Sequence, residues 1–492
     1  MTKIDLNLGN VYSVINSKIN DEVISKIENI CSYNHSTYDP GLGYKRETRI
    51  SLFNKYNLTF PSGLYQRVYG ELEYLGYKVN IKDNRSKPNV DIDKIISRFD
   101  EFGLALRDYQ IDGGIAGIEN PRGLFNWSTG AGKTVLFVFL LLAYDVPTLI
   151  LVNRKELMEQ IAREISNITG RSVGTIGDGV WNPNKWTVAI VNTLNKSINS
   201  NSVGTKSRVL NYLKTIQMFI GDEIHHLGAK TWKDIAKACE KASVRFGFSG
   251  TCFHPDSEDL YLVAFTGEII SDISPSKLIK DGWLAKPYIY MPEIISKNDD
   301  DKKVFNWHQV KKVFIRENEA VNESGVNFIK KMYDKGITSI YFSGDDIILG
   351  KKIYEMLIDS GINYRDIKFM TGSESSDVRR KTLTDFRNKK IKILGGTSIY
   401  DEGVDVPHVG AGANFGQGAS EIKTVQRIGR ILRKTKEIGR IDVDPNDKQI
   451  KYYWDPYNLG HKITEKHSEF RYSIYRRQQE FKIFNKEYDG KK

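Results

Sequence analysis

The sequence predicts an α/β fold, two tandem domains each built on a parallel sheet and preceded by a small α+β domain. Two observations predict the sheets. From about residue 100 onward, short β-branched runs alternate with longer helical patterns, and such alternation implies parallel strands with helices on both faces. The alternation also runs twice, with prolines between the two series. A third observation is length: 492 residues exceed one hydrophobic core and, at ~100–200 residues per domain, imply about three or four.

In chain order, residues 1–98 read as the α+β unit, with a helical Asp21 to Ser32, a strand Arg49 to Phe53, a helix Leu64 to Leu75 and a strand Tyr77 to Ile81. Residues 99–273 carry the first series: strands Leu124 to Trp127, Thr148 to Val152, Thr187 to Val191, Met218 to Ile220 and Val244 to Phe248, with a helix Lys155 to Ile168 among them. Pro275 and Pro287 break the periodicity between Ile273 and Tyr290, which places the joint there. Residues 274–455 carry the second series: strands Ser339 to Phe342, Lys368 to Met370, Ile391 to Leu394 and Val409 to Phe415, with helices Ile347 to Leu357 and Asp377 to Phe386. Over residues 456–492, Ile463, Phe470, Ile474, Phe481 and Phe484 recur at helical spacing, which predicts one basic terminal helix.

Composition narrows the function. The longest apolar stretch, Val135 to Tyr144, is shorter than the ~18–20 residues a membrane span needs. Three cysteines, Cys31, Cys239 and Cys252, lack metal-ligand spacing, which argues against a disulfide scaffold and a zinc finger. A formal net charge of +11 favours contact with a polyanion.

Chemistry concentrates in three places. Ser128-Thr129-Gly130-Ala131-Gly132-Lys133-Thr134 follows a strand and opens an apolar helix. Glycines there let backbone N–H groups curl around phosphates, Lys133 reaches the β- and γ-phosphates, and Thr134 can ligate Mg²⁺. The stretch departs from GxxxxGK[ST], because Trp127 holds the first glycine position. Asp222-Glu223-Ile224-His225 follows an apolar strand, at the edge where α/β sheets bind ligands. Asp222 can hold Mg²⁺, directly or through water, and Glu223 can orient and deprotonate the attacking water. His225 and His226 have no third ligand at metal spacing and read as polar couplers. Gln426-Arg427-Ile428-Gly429-Arg430-Ile431-Leu432-Arg433 supplies positive charge in the second domain, with Arg430 and Arg433, three apart, on one helical face. Such an arginine finger would make hydrolysis depend on closure of two lobes.

Together these stretches resemble the superfamily 2 helicases of DExH type, over about residues 100–435. Leu106-Arg107-Asp108-Tyr109-Gln110 resembles the adenine-reading Q motif, Leu151 to Leu157 motif Ia, Ser249-Gly250-Thr251 motif III, Thr371-Gly372 and Gly396-Thr397-Ser398 the strand contacts, and Asp401 to Pro407 motif V. The order of motifs matches as well. The resemblance implies two RecA-like lobes, ATP and Mg²⁺ as cofactors, and roles for matching residues. Arg107 and Gln110 would bind the nucleotide with Ser128 to Thr134, and Thr134 and Asp222 the metal. Gly403, Asp405, Gln426, Arg430 and Arg433 would face the γ-phosphate, with Arg427 unassigned. Arg154, Thr193, Thr371 and Thr397 would line the nucleic-acid track.

Within the superfamily the layout is similar to phage UvsW-like helicases, including Arg49 to Asn54, Phe60 to Leu64 and Gly76-Tyr77 in the N-terminal unit. SGT replaces the SAT of many relatives, which bears on how hydrolysis couples to unwinding. The expected function is an ATP-dependent DNA helicase or translocase that unwinds or branch-migrates forks, four-way junctions or R-loops. Its partners would be single-stranded, forked or branched DNA and RNA–DNA hybrids. The N-terminal unit and tail residues Arg471, Arg476 and Arg477 would hold duplex arms. The protein would be a cytoplasmic monomer, in host cytoplasm if phage-encoded. Alternatives are an RNA helicase, a duplex translocase without strand separation, and a nucleic-acid-binding module with a degenerate ATPase.

Overall fold

The computed structural model describes residues 2–39, 44–85, 91–225, 230–250, 260–295, 306–344, 346–397, 409–434 and 444–484. They form two compact units, Met1–Trp127 with Gly132–Asp272, and Ser128–Ala131 with Ile273–Lys492.

The first unit holds an eight-stranded sheet. Its centre is parallel: Thr148–Val152 lies between Trp186–Ile190 and Met218–Asp222, and Val244–Ser249 lies between Met218–Asp222 and Arg122–Trp127. Thr148–Val152, Trp186–Ile190, Met218–Asp222 and Val244–Ser249 are buried at every residue. That explains their unbroken apolar runs, since helices cover both faces of such a sheet. The register sets Met218 against both Thr148 and Val244, and Arg245 against Arg122, so the strands end together at one edge. The chain segments leaving that edge include Ser128 to Gly132, Asn153-Arg154 and Glu223.

Residues 2–85 add a four-stranded sheet in the order Thr59–Pro61, Tyr12–Ile15, Lys3–Leu8, Lys78–Asp83. The strands Lys3–Leu8 and Tyr12–Ile15 lie outside the sequence expectation, although Ile4, Leu6 and Leu8 alternate and are buried. This sheet shares a core with the first α/β domain. Phe60, Leu64, Leu260 and Val263 belong to one buried cluster, Tyr33 meets Tyr261 edge to face at 5.6 Å, and Arg67 pairs with Glu268 at 2.6 Å. At Gly63 a Cβ would lie 1.9 Å from the Val263 carbonyl oxygen, so only glycine permits this approach.

The second unit contains a seven-stranded sheet in the order Ile367–Met370, Ile393–Gly396, Ile340–Ser343, Ala411–Asn414, Ile450–Trp454, Lys286–Tyr290, Lys482–Phe484. Every pairing is parallel. Two expectations are corrected here. The terminal helix spans Lys462–Arg476 and stops; Phe484 lies instead in a strand paired with Lys286–Tyr290, and Phe481 precedes it. The buried face of the helix is Thr464, Ser468, Arg471, Ile474 and Tyr475, of which Arg471 and Tyr475 pack on Asp455. Arg471 is therefore 1% exposed and cannot touch a duplex arm, whereas Arg476 and Arg477 are exposed.

Cys31 and Cys239 are free and buried; Cys252 lies outside the described residues. Among the described residues no helix is long and apolar enough to cross a membrane.

Candidate active site

The loop Ser128 to Gly132 is set by its flanks. The strand Arg122–Trp127 leads into it, and the helix Lys133–Tyr144 that leaves it is buried along most of its length, which fixes where its N-terminal N–H groups point. Gly130 and Gly132 have φ of 86° and 82°, the left-handed region glycine enters without penalty. At Gly132 a Cβ would lie 2.4 Å from Gln110 Nε2, so this glycine also admits Gln110 against the loop. Gln110 is 4% exposed, and its Oε1 accepts the Arg107 backbone N–H at 3.1 Å. Arg107 Nη1 donates to the Tyr109 hydroxyl at 2.7 Å, and Tyr109 meets Trp127 edge to face at 5.5 Å. The segment Arg107 to Gln110 is thus keyed to the strand that delivers the loop. Ser128 Oγ is buried and makes no hydrogen bond among the described residues. Buried hydroxyls rarely lack one, and a phosphate oxygen would satisfy it.

Asp222 is the last residue of its strand. Glu223 turns sharply, with φ of 49°, a conformation costing about 1–2 kcal/mol in a residue with a Cβ. Lys133 Nζ donates to Glu223 Oε1 at 3.3 Å. His225 Nδ1 lies 3.5 Å from Glu223 Oε2 and 3.3 Å from Ser249 Oγ, so His225 stands between the acidic pair and the Ser249 strand end. Burial, and then the neighbouring Glu223 charge, push the Asp222 carboxyl up to about 7, against the pull of Lys133 and of a backbone N–H bond.

These groups fit a hard divalent cation. The buried Asp222 carboxyl and the hydroxyl-bearing Thr134 in the first helical turn are oxygen donors of the kind Mg²⁺ takes, with substrate phosphates completing the shell.

In the second unit the helix Glu421–Ile431 carries Gln426, Arg427 and Arg430, all buried. Arg433 departs from expectation. The helix ends at Ile431, the Ala285 N–H bonds the Leu432 carbonyl at 2.7 Å, and Leu284 bridges Arg433. That bridge pulls the chain off the helix, so Arg430 and Arg433 do not share a helical face.

Of the expected nucleic-acid residues, Arg154 caps the helix Lys155–Thr169 with extended backbone, and Thr193 is half-buried in the helix Val191–Ile198. Thr397 follows the strand Ile393–Gly396 and is half-buried. Thr371 is 7% exposed, and its hydroxyl donates to Glu374 at 2.9 Å, so it is held within the protein. Gly403, Asp405, Thr251 and His226 lie outside the described residues. Sequence reasoning missed the partners that fix these groups: Glu374, and around the Arg427 helix Asn414 and Asp455. Asn414 ends the strand Ala411–Asn414 and falls inside the expected strand Val409 to Phe415, one residue before its end, which was its one sequence signal.

The family described as "Type III restriction enzyme, res subunit" matches residues 92–254, and "Helicase conserved C-terminal domain" matches residues 326–435. The ATP-dependent DNA helicase uvsW of Enterobacteria phage T4 is 23% identical over 414 residues, 78% of this chain and 78% of its own length. The DNA 3'-5' translocase XPB2 of Sulfurisphaera tokodaii is 24% identical over 362 residues, 67% of this chain and 79% of its own. Among solved structures, Mycobacterium smegmatis helicase Lhr bound to ssDNA and AMP-PNP matches with a TM-score of 0.55 at 15% identity, over 80% of this chain and 50% of that one, a likeness of fold.

Proposed function

We propose that the chain, which matches two family models along its length, is an ATP-dependent nucleic-acid helicase of superfamily 2 with RecA-like domains, and that it works on DNA, unwinding or branch-migrating forks, four-way junctions or R-loops. The observation that carries the reading is the contact of Lys133 with Glu223 at 3.3 Å beside the buried Asp222. Similarity to uvsW, named a DNA helicase, favours DNA.

In this reading Gln110 and Arg107 hold the base end of ATP, while the amides of Ser128 to Gly132 and Lys133 hold its phosphates. Mg²⁺, held by Thr134 and Asp222, would neutralise phosphate charge. Lys133 exchanges Glu223 for phosphate oxygen, which releases Glu223 to take a proton from the attacking water. Gln426, Arg430 and Arg433, with Gly403 and Asp405, serve the γ-phosphate in a closed state. Arg154, Thr193 and Thr397 follow the nucleic-acid backbone, where such contacts position without reading sequence; Thr371 joins them through its backbone, given its engaged hydroxyl. Separating one base-pair step costs ~1.4 kcal/mol on average, and branch migration exchanges pairs at almost no net cost, so junctions are energetically easy substrates. The working unit is a cytoplasmic monomer.

A second reading, translocation along duplex without strand separation, is favoured by the match to a restriction subunit and by a relative named a translocase. Steady-state ATP turnover with single strands, duplex, forks, four-way junctions and RNA–DNA hybrids decides between them. The first reading expects forks and junctions to stimulate most and to be resolved. Equal stimulation by plain duplex, with a triplex strand displaced and no fork opened, would establish the second.

A further inference from the structure

Arg427 lies on the same helix as Arg430, one turn earlier, and is tied into the body of its unit: it is 4% exposed and its Nη1 donates to Asn414 Oδ1 at 2.8 Å. Asn414 Nδ2 in turn donates to Asp455 Oδ1 at 3.1 Å. Asp455 is wholly buried and accepts Arg471 Nε on both oxygens at 3.0 Å and the Tyr475 hydroxyl at 2.7 Å. Arg471 then donates to the Gln417 carbonyl at 2.8 Å, the Gly418 carbonyl at 3.3 Å and the Pro456 carbonyl at 3.0 Å. Gln417 and Gly418 belong to the short loop that launches the Glu421–Ile431 helix, and Gln417 holds a φ of 48°. From the solvent side, Arg477 pairs with Glu421 at 3.0 Å in the first turn of the same helix.

The C-terminal helix therefore grips the Arg430 helix twice, through a buried chain at its middle and launching loop and through an ion pair at its start. Burying a guanidinium and a carboxylate together is weak evidence for stability, because an apolar pair of similar volume often does as well. A fully satisfied network does, however, fix geometry.

We propose that Arg471, Asp455 and Asn414 are positioning residues for ATP hydrolysis, holding the helix so that Arg430 meets the γ-phosphate at the required angle. This rests on the reading of Arg430 as a finger. Misplacing a catalytic group by 1 Å can cost ~10²-fold in rate, so the network acts on turnover and not on nucleotide affinity.

Two full-length variants test it. Asp455→Leu with Arg471→Met removes both charges at similar volume, and Asn414→Ala cuts the link while leaving the Asp455–Arg471 pair whole, so it remains informative if the double variant fails to fold. Each is measured for DNA-stimulated single-turnover hydrolysis and for affinity toward a non-hydrolysable ATP analogue, alone and combined with Arg430→Ala. The expected result is a fall in rate of ~10-fold or more, affinity within about 3-fold, and no further fall in the Arg430→Ala background. Wild-type turnover in a folded variant, matched losses of rate and affinity, or a full multiplicative fall on top of Arg430→Ala would each overturn the inference. Wild-type turnover in Arg430→Ala alone would sink the finger reading and the inference with it. Slow turnover there, with wild-type turnover in both network variants, would sink the inference alone.

Discussion

Asp222 and Asp455 occupy comparable places, one at and one just past the C-terminal end of a parallel strand, both buried, and their surroundings are opposite. Asp222 sits beside a second carboxylate on a strained turn, and burial with that charge pushes its carboxyl up to about 7. Asp455 accepts four hydrogen bonds from Arg471, Tyr475 and Asn414. The first has its charge only partly offset, by Lys133 and a backbone N–H, and the second is met by hydrogen bonds on both oxygens. In the proposed reading one strand end receives a ligand and the other holds its own element still, and burial alone does not distinguish them.

Replacing each aspartate should push stability in opposite directions. Asp455→Ala leaves the Arg471 guanidinium buried without its partner, and breaking such a pair costs about 3–5 kcal/mol, read as a lower denaturant midpoint at unchanged slope. An unchanged midpoint would mean that water or another acceptor replaces the carboxylate, and the contrast would fail.

A smaller effect of the other sign is expected at Asp222. The folded protein keeps the Asp222 proton up to about 7, whereas the unfolded carboxyl releases it near 3.8. This group's contribution is thus fully present below the unfolded value and lost as pH rises through the folded one. Asp222→Asn should raise the ligand-free Tm at pH 8 by roughly 2–4 °C, do little at pH 4, and abolish hydrolysis. A lower Tm at pH 8 would show that the Asp222 carboxylate is already compensated.

Much of this architecture is legible in the sequence. Thr148–Val152 and Met218–Asp222 are buried on both faces, so their apolar runs mark them as central strands, and the place of Asp222 and Glu223 at a strand end is legible because acid follows such a run. The Ser128 to Gly132 loop is readable for a similar reason, its glycines falling between a strand and an apolar helix. Three features escape. The stripe ending in Phe481 and Phe484 mimics a helix, although hydrogen bonding places Phe484 in a sheet edge. Arg471 looks like a solvated tail residue, because its partner Asp455 lies on a different element. Glu223 has a left-handed backbone that nothing in its side chain announces, since tertiary packing imposes it.

The central claim is that Lys133, Asp222 and Glu223 form one ATP-hydrolysing site that nucleic acid switches on. The direct measurement is ATP turnover, with and without a forked DNA, by the wild-type chain, Lys133→Ala and Glu223→Gln. The expected result is strong stimulation of the wild type and a loss of ~10³-fold or more in both variants, with Glu223→Gln still binding ATP. Undiminished, DNA-stimulated turnover in either variant would contradict the account.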